Sequence, residues 1–114
     1  MLDPAIHQRL LEFRSSRKWE QFHTPQNLAV ALSVEAAELL EHFQWMSPGD
    51  RRPSAAARDA VELEIADLAI LLSYLSHDLG IDVSAAVERK LTINAIRYPV
   101  EKSRGTATKY DKLT

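Results

Sequence analysis

Two acidic steps, Glu35-x-x-Glu38 and Glu64-x-x-Asp67, lie inside segments that are otherwise apolar. A helix turns ~100° per residue, so each step sets both carboxylates on one face, and two such helices side by side bring four oxygen donors to one point. Leu28, Val30, Leu32, Val34, Leu39, Leu40 and Phe43 surround the first pair, and Val61, Leu63, Ile65, Leu68, Ile70, Leu71 and Leu72 the second. Isolated carboxylates in such surroundings raise their pKa or cost free energy, a penalty that a bound cation removes. A donor set of carboxylates without a thiol is hard, which favours Mg²⁺, with Mn²⁺ possible, over zinc or copper. One E-x-x-E by itself is usually a solvated helix face. The pairing of two within apolar helices makes Glu35, Glu38, Glu64 and Asp67 candidate metal ligands.

Helix punctuation divides the rest of the chain. Asp3-Pro4 supplies a cap and a first-turn proline for a helix to about Arg17, and Thr24-Pro25 repeats the device for a second, expected to run to about Trp45 before Ser47-Pro48-Gly49-Asp50. Ser54 caps a third helix that ends at Leu79, with Gly80 placed for a left-handed terminus. Asp82 opens a fourth, closed by Tyr98-Pro99. No segment alternates as a strand between hairpin turns, so the expected fold class is all-α, a four-helix bundle. The run Leu68–Leu72 is apolar on every side and needs neighbours around its full circumference. Four helices in 114 residues can hardly supply them. We therefore expect oligomerisation, as a dimer or larger, to complete the bundle, with residues 1–99 as the domain and 100–114 as a basic tail.

Charge and composition exclude more than they select. Fourteen Lys plus Arg against sixteen Asp plus Glu leave a net charge of −2, which gives no reason to expect nucleic-acid or membrane binding. No stretch reaches the ~18 to 20 apolar residues of a membrane span, Met1-Leu2-Asp3-Pro4 lacks the pattern of a signal peptide, and a cytoplasmic location is the expectation. The chain has no cysteine, which removes disulfides and thiolate metal sites.

Smaller signals lie around the acidic pairs. Lys90, Asn94 and Arg97/Tyr98 share one stripe of the fourth helix, which beside a metal site suits a polyanion and alone would be a solvated face. Trp19 and Trp45 flank the second helix, and each indole offers a flat apolar surface on which a base could stack, although most tryptophans are core. Phe22 and Phe43 are assigned to the core. His42 follows Glu38 by one turn and can approach the metal face.

Five blocks in order carry a more specific signal: Trp19-Glu20-Gln21-Phe22-His23-Thr24-Pro25-x-Asn27-Leu28, Glu35-Ala36-Ala37-Glu38-Leu39, Phe43-Gln44-Trp45, Glu64-x-x-Asp67 and Lys90-x-x-x-Asn94-x-x-x-Tyr98-Pro99. Over about residues 10 to 110 the chain resembles the MazG-like nucleotide pyrophosphohydrolases, and most of all their small dCTP pyrophosphatase branch. The resemblance implies an all-α, Mg²⁺-dependent enzyme that cuts a nucleoside triphosphate between the α and β phosphates, and assembly as a dimer or tetramer whose sites draw on more than one subunit. It implies Glu35, Glu38, Glu64 and Asp67 as metal ligands, Trp19 and Trp45 around the base, and His23, Asn27, Lys90, Asn94 and Tyr98 lining the nucleotide pocket. The ending Val100-Glu101-Lys102-Ser103-Arg104-Gly105 is shared with bacterial relatives and points to phosphate binding, so Lys102 and Arg104 are expected to join Lys90 on the β and γ phosphates. Leu10 and Leu71 depart from the mammalian-type pattern, which carries histidine and tyrosine there, near the expected base and sugar contacts.

A carboxylate-held Mg²⁺ suits attack of water at the α phosphorus, with Glu35 or Glu38 as the general base. Two other readings compete. A di-iron carboxylate oxidase needs Glu-x-x-His within two helices, which neither acidic pair provides. A non-catalytic helical interaction module would leave both pairs as solvated faces.

Overall fold

Every long helix begins where the sequence supplies an oxygen for a free backbone N–H. The computed structural model describes all 114 residues, Met1–Thr114. Helix α1 spans Pro4–Ser16, and the Asp3 carboxylate accepts from the Ala5 N–H at 2.8 Å. Helix α2 spans Pro25–Glu41 behind Thr24, whose hydroxyl accepts from the Asn27 N–H at 3.1 Å. Helix α3 spans Ala55–Asp78 behind Ser54, and α4 spans Val83–Arg97 behind Asp82; their side chains accept from Ala57 N–H at 3.2 Å and Ala85 N–H at 3.1 Å. A short helix, α5, covers Val100–Ser103, and single 3₁₀ turns cover Trp19–Gln21 and Tyr110–Lys112. No strand occurs, and the chain is all-α.

The second helix stops four residues short of the expected end. Beyond Glu41 the bonds tighten: Phe43 N–H donates to Leu40 O at 2.9 Å, and Met46 N–H to Phe43 O at 3.0 Å. His42, Phe43 and Trp45 are weaker helix formers than the Ala and Leu before them, and the residue before Pro48 is pushed out of the helical region, so the chain unwinds through turns. The third helix ends as read: Leu79 is the last residue of helical geometry, and Gly80 takes a φ of 65°.

The chain divides into two compact units, Met1–Gly80 and Ile81–Thr114. In the first, α2 and α3 form an antiparallel hairpin, the tightest packing of the fold, and α1 lies against α3. Its core is small: Leu28, Val61 and Tyr74. Val30, Val34 and Leu40 of α2 and Leu63, Ile65 and Leu72 of α3 are exposed, Leu63 at 68%. Phe22, expected in the core, is 60% exposed, because it follows the Trp19–Gln21 turn at a point where no helix of this chain covers it. In the second unit, α4 leads into the tail, where the Tyr98 ring meets Tyr110 edge-on at 6.1 Å and the Arg97 guanidinium lies 4.5 Å over the Tyr110 ring. No single helix is long and apolar enough to cross a membrane.

Left-handed residues follow three of the helices, Lys18 after α1, Gly80 after α3 and Gly105 after α5, and at Gly80 a Cβ would strain the backbone without meeting another atom. Gly80→Ala should therefore cost about 1 kcal/mol of unfolding free energy, whereas Gly49→Ala, at ordinary φ and in open space, should leave it unchanged or slightly higher. Urea denaturation of both variants checks this, and an equal response at the two sites would contradict it.

Candidate active site

The hairpin of α2 and α3 brings the two acidic steps together. Ligand oxygens of Glu35, Glu64 and Asp67 all lie within 4.8 Å of one another. Glu38, one turn on from Glu35, stands within hydrogen-bonding reach of both Glu35 and Glu64. Oε2 of Glu35 and Oε2 of Glu64 are buried and bond to nothing in the protein. Such oxygens are expensive to leave bare, and here they face other carboxylates rather than donors.

The electrostatics follow from the crowding. Loss of water holds the Glu35 carboxyl above the ordinary glutamate range, and shared hydrogen bonding with Glu64 adds to the rise. Glu38 is raised as well, first by its hydrogen bond to Glu35 and then by that residue's charge. His42 lies beside the cluster, with Nε2 3.9 Å from Glu64 Oε1. A hard divalent cation fits this set: the donors are all carboxylate oxygens, they converge within reach of one ion, and two of them have no other partner.

Beside the acidic cluster opens a cavity of about 380 Å³, and the two share walls. Glu35 and Asp67 form its acidic end; Leu10, Phe13, Trp19, Ile70, Leu71 and Tyr74 make most of the remainder, with His23 and Ala31. An aromatic run lines one side. The Trp19 ring meets Phe13 edge-on at 5.7 Å, His23 lies 6.1 Å from Trp19, and Tyr74 lies 5.3 Å from His23. A cation closes each end, Arg17 at 3.5 Å over Phe13 and Arg14 at 4.7 Å over Tyr74. Burial, helped by the charge of Arg14, lowers the pKa of His23 and keeps the imidazole neutral.

The expected site residues divide into three groups. Glu35, Glu38, Glu64, Asp67, Trp19 and His23 come together around the acidic cluster and the cavity. Asn27 and Trp45 do not join them. The Asn27 amide donates to Phe22 O at 2.9 Å and braces the entry to α2. Trp45 is 88% exposed and borders a separate depression with His42, Met46 and Pro53, so one chain does not place Trp19 and Trp45 on the two faces of one base. The third group, Lys90, Asn94, Tyr98, Lys102 and Arg104, lies in the second unit, where Lys90 is exposed and Asn94 half-buried. Lys102 there borders a polar cavity with Thr106, Thr108 and Lys112. Sequence reasoning overlooked Phe13 and Tyr74. Phe13 had a signal, since it falls one turn before Arg17-x-Trp19; Tyr74 had none beyond its position two turns after Asp67.

Residues 30–113 match the model of the MazG-like family. Over 105 residues the chain is 44% identical to dCTP pyrophosphatase 1 of Rattus norvegicus and 41% identical to that of Homo sapiens; in each case the match takes 90% of this chain. It spans 62% of the length of those relatives. A crystal structure of a pyrophosphatase from Archaeoglobus fulgidus is 42% identical and superposes with a TM-score of 0.72 over 83% of this chain and 90% of that one.

Raised carboxyls at Glu35 and Glu38 mean that the folded protein holds protons more tightly than the unfolded chain. Without metal, stability should fall as pH rises from the ordinary glutamate value through the raised one, because ionisation is harder in the folded state. Glu35→Gln should flatten that slope, and millimolar Mg²⁺ should reverse it in the native protein alone. Thermal melts across pH, with chelator and with Mg²⁺, check this; a slope unaffected by the substitution would contradict it.

Proposed function

The chain belongs to the MazG-like family, and from that premise we propose that it is a nucleoside triphosphate pyrophosphohydrolase. It cuts a (d)NTP, with dCTP or a dCTP-like nucleotide first in line, to the monophosphate and pyrophosphate. The observation that carries this reading is the shared wall: Glu35 and Asp67 belong both to the convergent carboxylates and to the aromatic cavity. A base in that cavity has its phosphates directed toward the acidic end, where they can be reached only if a cation offsets the carboxylate charge. The relatives named dCTP pyrophosphatase 1 support the reaction class and the choice of dCTP.

Each group then has a task. Trp19 stacks on the base, and His23, neutral beside it, offers hydrogen bonding without adding charge. Glu35, Glu38, Glu64 and Asp67 hold Mg²⁺, or Mn²⁺, which when bound supplies neutralisation of phosphate charge and acidification of water. Glu35, and Glu38 beside it, are the candidate bases: an oxygen of either carboxylate left free by the cation can accept the proton of the attacking water. Water attacks the α phosphorus, the bond to the α–β bridging oxygen breaks, and pyrophosphate leaves with that electron pair. In the second unit Lys90, Lys102 and Arg104 are our candidates for contact with the β and γ phosphates, and Asn94 and Tyr98 for contact with the nucleotide, while Asn27, held to Phe22 O, braces the turn that carries His23. We assign residues 1–99 to the catalytic domain, residues 100–114 to the phosphate-binding tail, and the protein to the cytoplasm.

The exposed apolar residues of α2 and α3 support assembly as a homodimer or tetramer, with Trp45 from a second copy covering the face of the base that Trp19 leaves open. Membership of the family and the absence of a Glu-x-x-His pair in α2 and α3 set the di-iron reading aside.

Incubation with Mg²⁺ and a panel of triphosphates, with products resolved by ion exchange, should give monophosphate and pyrophosphate; diphosphate and orthophosphate would refute the assignment. Asp67→Asn should lower turnover on the order of 100-fold or more while the fold persists, the scale of several kcal/mol of lost charge stabilisation. At micromolar concentration the protein should sediment as a dimer or larger, and a stable monomer would refute the assembly.

A further inference from the structure

Little fastens α1 to the rest of the first unit. The Tyr74 hydroxyl donates to Leu10 O at 2.8 Å, and His7 Nε2 lies 3.4 Å from His77 Nδ1 at the exposed surface. The third link is stronger. Arg14 is 5% exposed, and its guanidinium donates from Nη1 to Asp78 Oδ2 and from Nη2 to Asp78 Oδ1, both at 2.8 Å. This two-pronged pair joins the last turn of α1 to the last residue of α3, in the geometry that gives Arg–carboxylate pairs their directionality. Its position relative to the cavity is specific: the same guanidinium stacks on the far end of the aromatic run, over the Tyr74 ring. Arg14 itself is not among the residues lining the cavity.

Resting on the pyrophosphohydrolase reading, we propose that Arg14, pinned by Asp78, is a positioning residue that sets the base-binding wall of α1 against the metal-binding helix α3. One helix, α3, carries Asp67 and Tyr74, while α1 and the turn after it carry Leu10, Phe13 and Trp19. The width of the slot between them is therefore the α1–α3 distance, which the Tyr74–Leu10 hydrogen bond holds from within and the Arg14–Asp78 pair from outside the slot. Removing Asp78 leaves the Arg14 charge buried and unpaired, and removing Arg14 leaves the exposed Asp78 with no tie to α1; either change loosens the wall. The carboxylates of α2 and α3 are joined by their own hairpin and do not feel the change. Binding of the base should suffer, and the chemical step should not.

The test compares Arg14→Met, Asp78→Asn, the double variant and Arg14→Lys with the native protein, reading KM and kcat with Mg²⁺, calorimetric binding of dCMP in metal-free buffer, and melting temperature. Arg14→Met and Asp78→Asn should each raise KM and weaken dCMP binding roughly tenfold with kcat within about twofold, the signature of lost ground-state binding. The double variant should be no worse than either single one, and Arg14→Lys should recover part of the loss. Should Arg14→Met fail to fold, Asp78→Asn and Arg14→Lys give the same reading. A purely structural role would lower kcat through the folded fraction and leave KM and the dCMP affinity of the folded protein unchanged, and that result overturns the proposal. A native protein that binds dCMP without hydrolysing any triphosphate would refute the assigned reaction alone, with the dCMP arm still deciding the role of Arg14; absence of both would overturn the two together.

Discussion

Carboxylates facing one another across the α2–α3 hairpin are the constraint around which this chain is arranged. Glu35 and Glu64 each keep a buried oxygen without a protein partner, and Glu35 and Glu38 are held above their ordinary range by their neighbours. Apolar packing between the helices brings these groups close in spite of their repulsion. The protein therefore stores at its centre a demand for positive charge that no side chain of the hairpin meets, since His42 reaches Glu64 only at 3.9 Å.

The aromatic cavity gives that demand a direction. Its acidic end is made by Glu35 and Asp67 themselves, and its far wall by residues from α1, α3 and the turn that follows α1. A ligand that satisfies both ends is flat and apolar at one extremity and brings positive charge to the other, as the nucleotide we propose does in company with a cation. The run from Arg17 through Phe13, Trp19, His23 and Tyr74 to Arg14 is a stack in which each ring limits the next, so the cavity has a defined wall despite a core of only a few fully buried side chains.

Much of this was legible in the sequence, for identifiable reasons. Local rules fixed the helix starts: Asp3, Thr24, Ser54 and Asp82 each cap with their own side chain, and Gly80 takes the left-handed conformation that a helix terminus favours. Periodicity was enough to place Glu35 with Glu38 and Glu64 with Asp67 on facing surfaces. What escaped was long-range or subtle. Arg14 and Asp78 are separated by 64 positions, and neither has a local feature that names the other. Tyr74 reads as one more core residue until the fold sets it against His23. The end of α2 was misjudged because the loss of helical winding before Pro48 is spread over several weak formers rather than marked by one breaker. Phe22 was misjudged because hydrophobicity reports that a side chain wants cover, not that this chain supplies it.

The central claim is that one nucleotide spans the aromatic cavity and the carboxylate cluster. The chain has only two tryptophans, so a Trp45→Phe variant leaves Trp19 as the single indole reporter in the cavity wall. Its emission should be followed while dCTP is titrated in Ca²⁺, a hard cation offered as a slow substitute, and again in chelator. The account predicts a saturable change in Trp19 emission whose midpoint falls to lower dCTP concentration when the cation is present, and which Asp67→Asn makes insensitive to the cation. Hydrolysis of dCTP by this variant with no change in Trp19 emission at any concentration would contradict it.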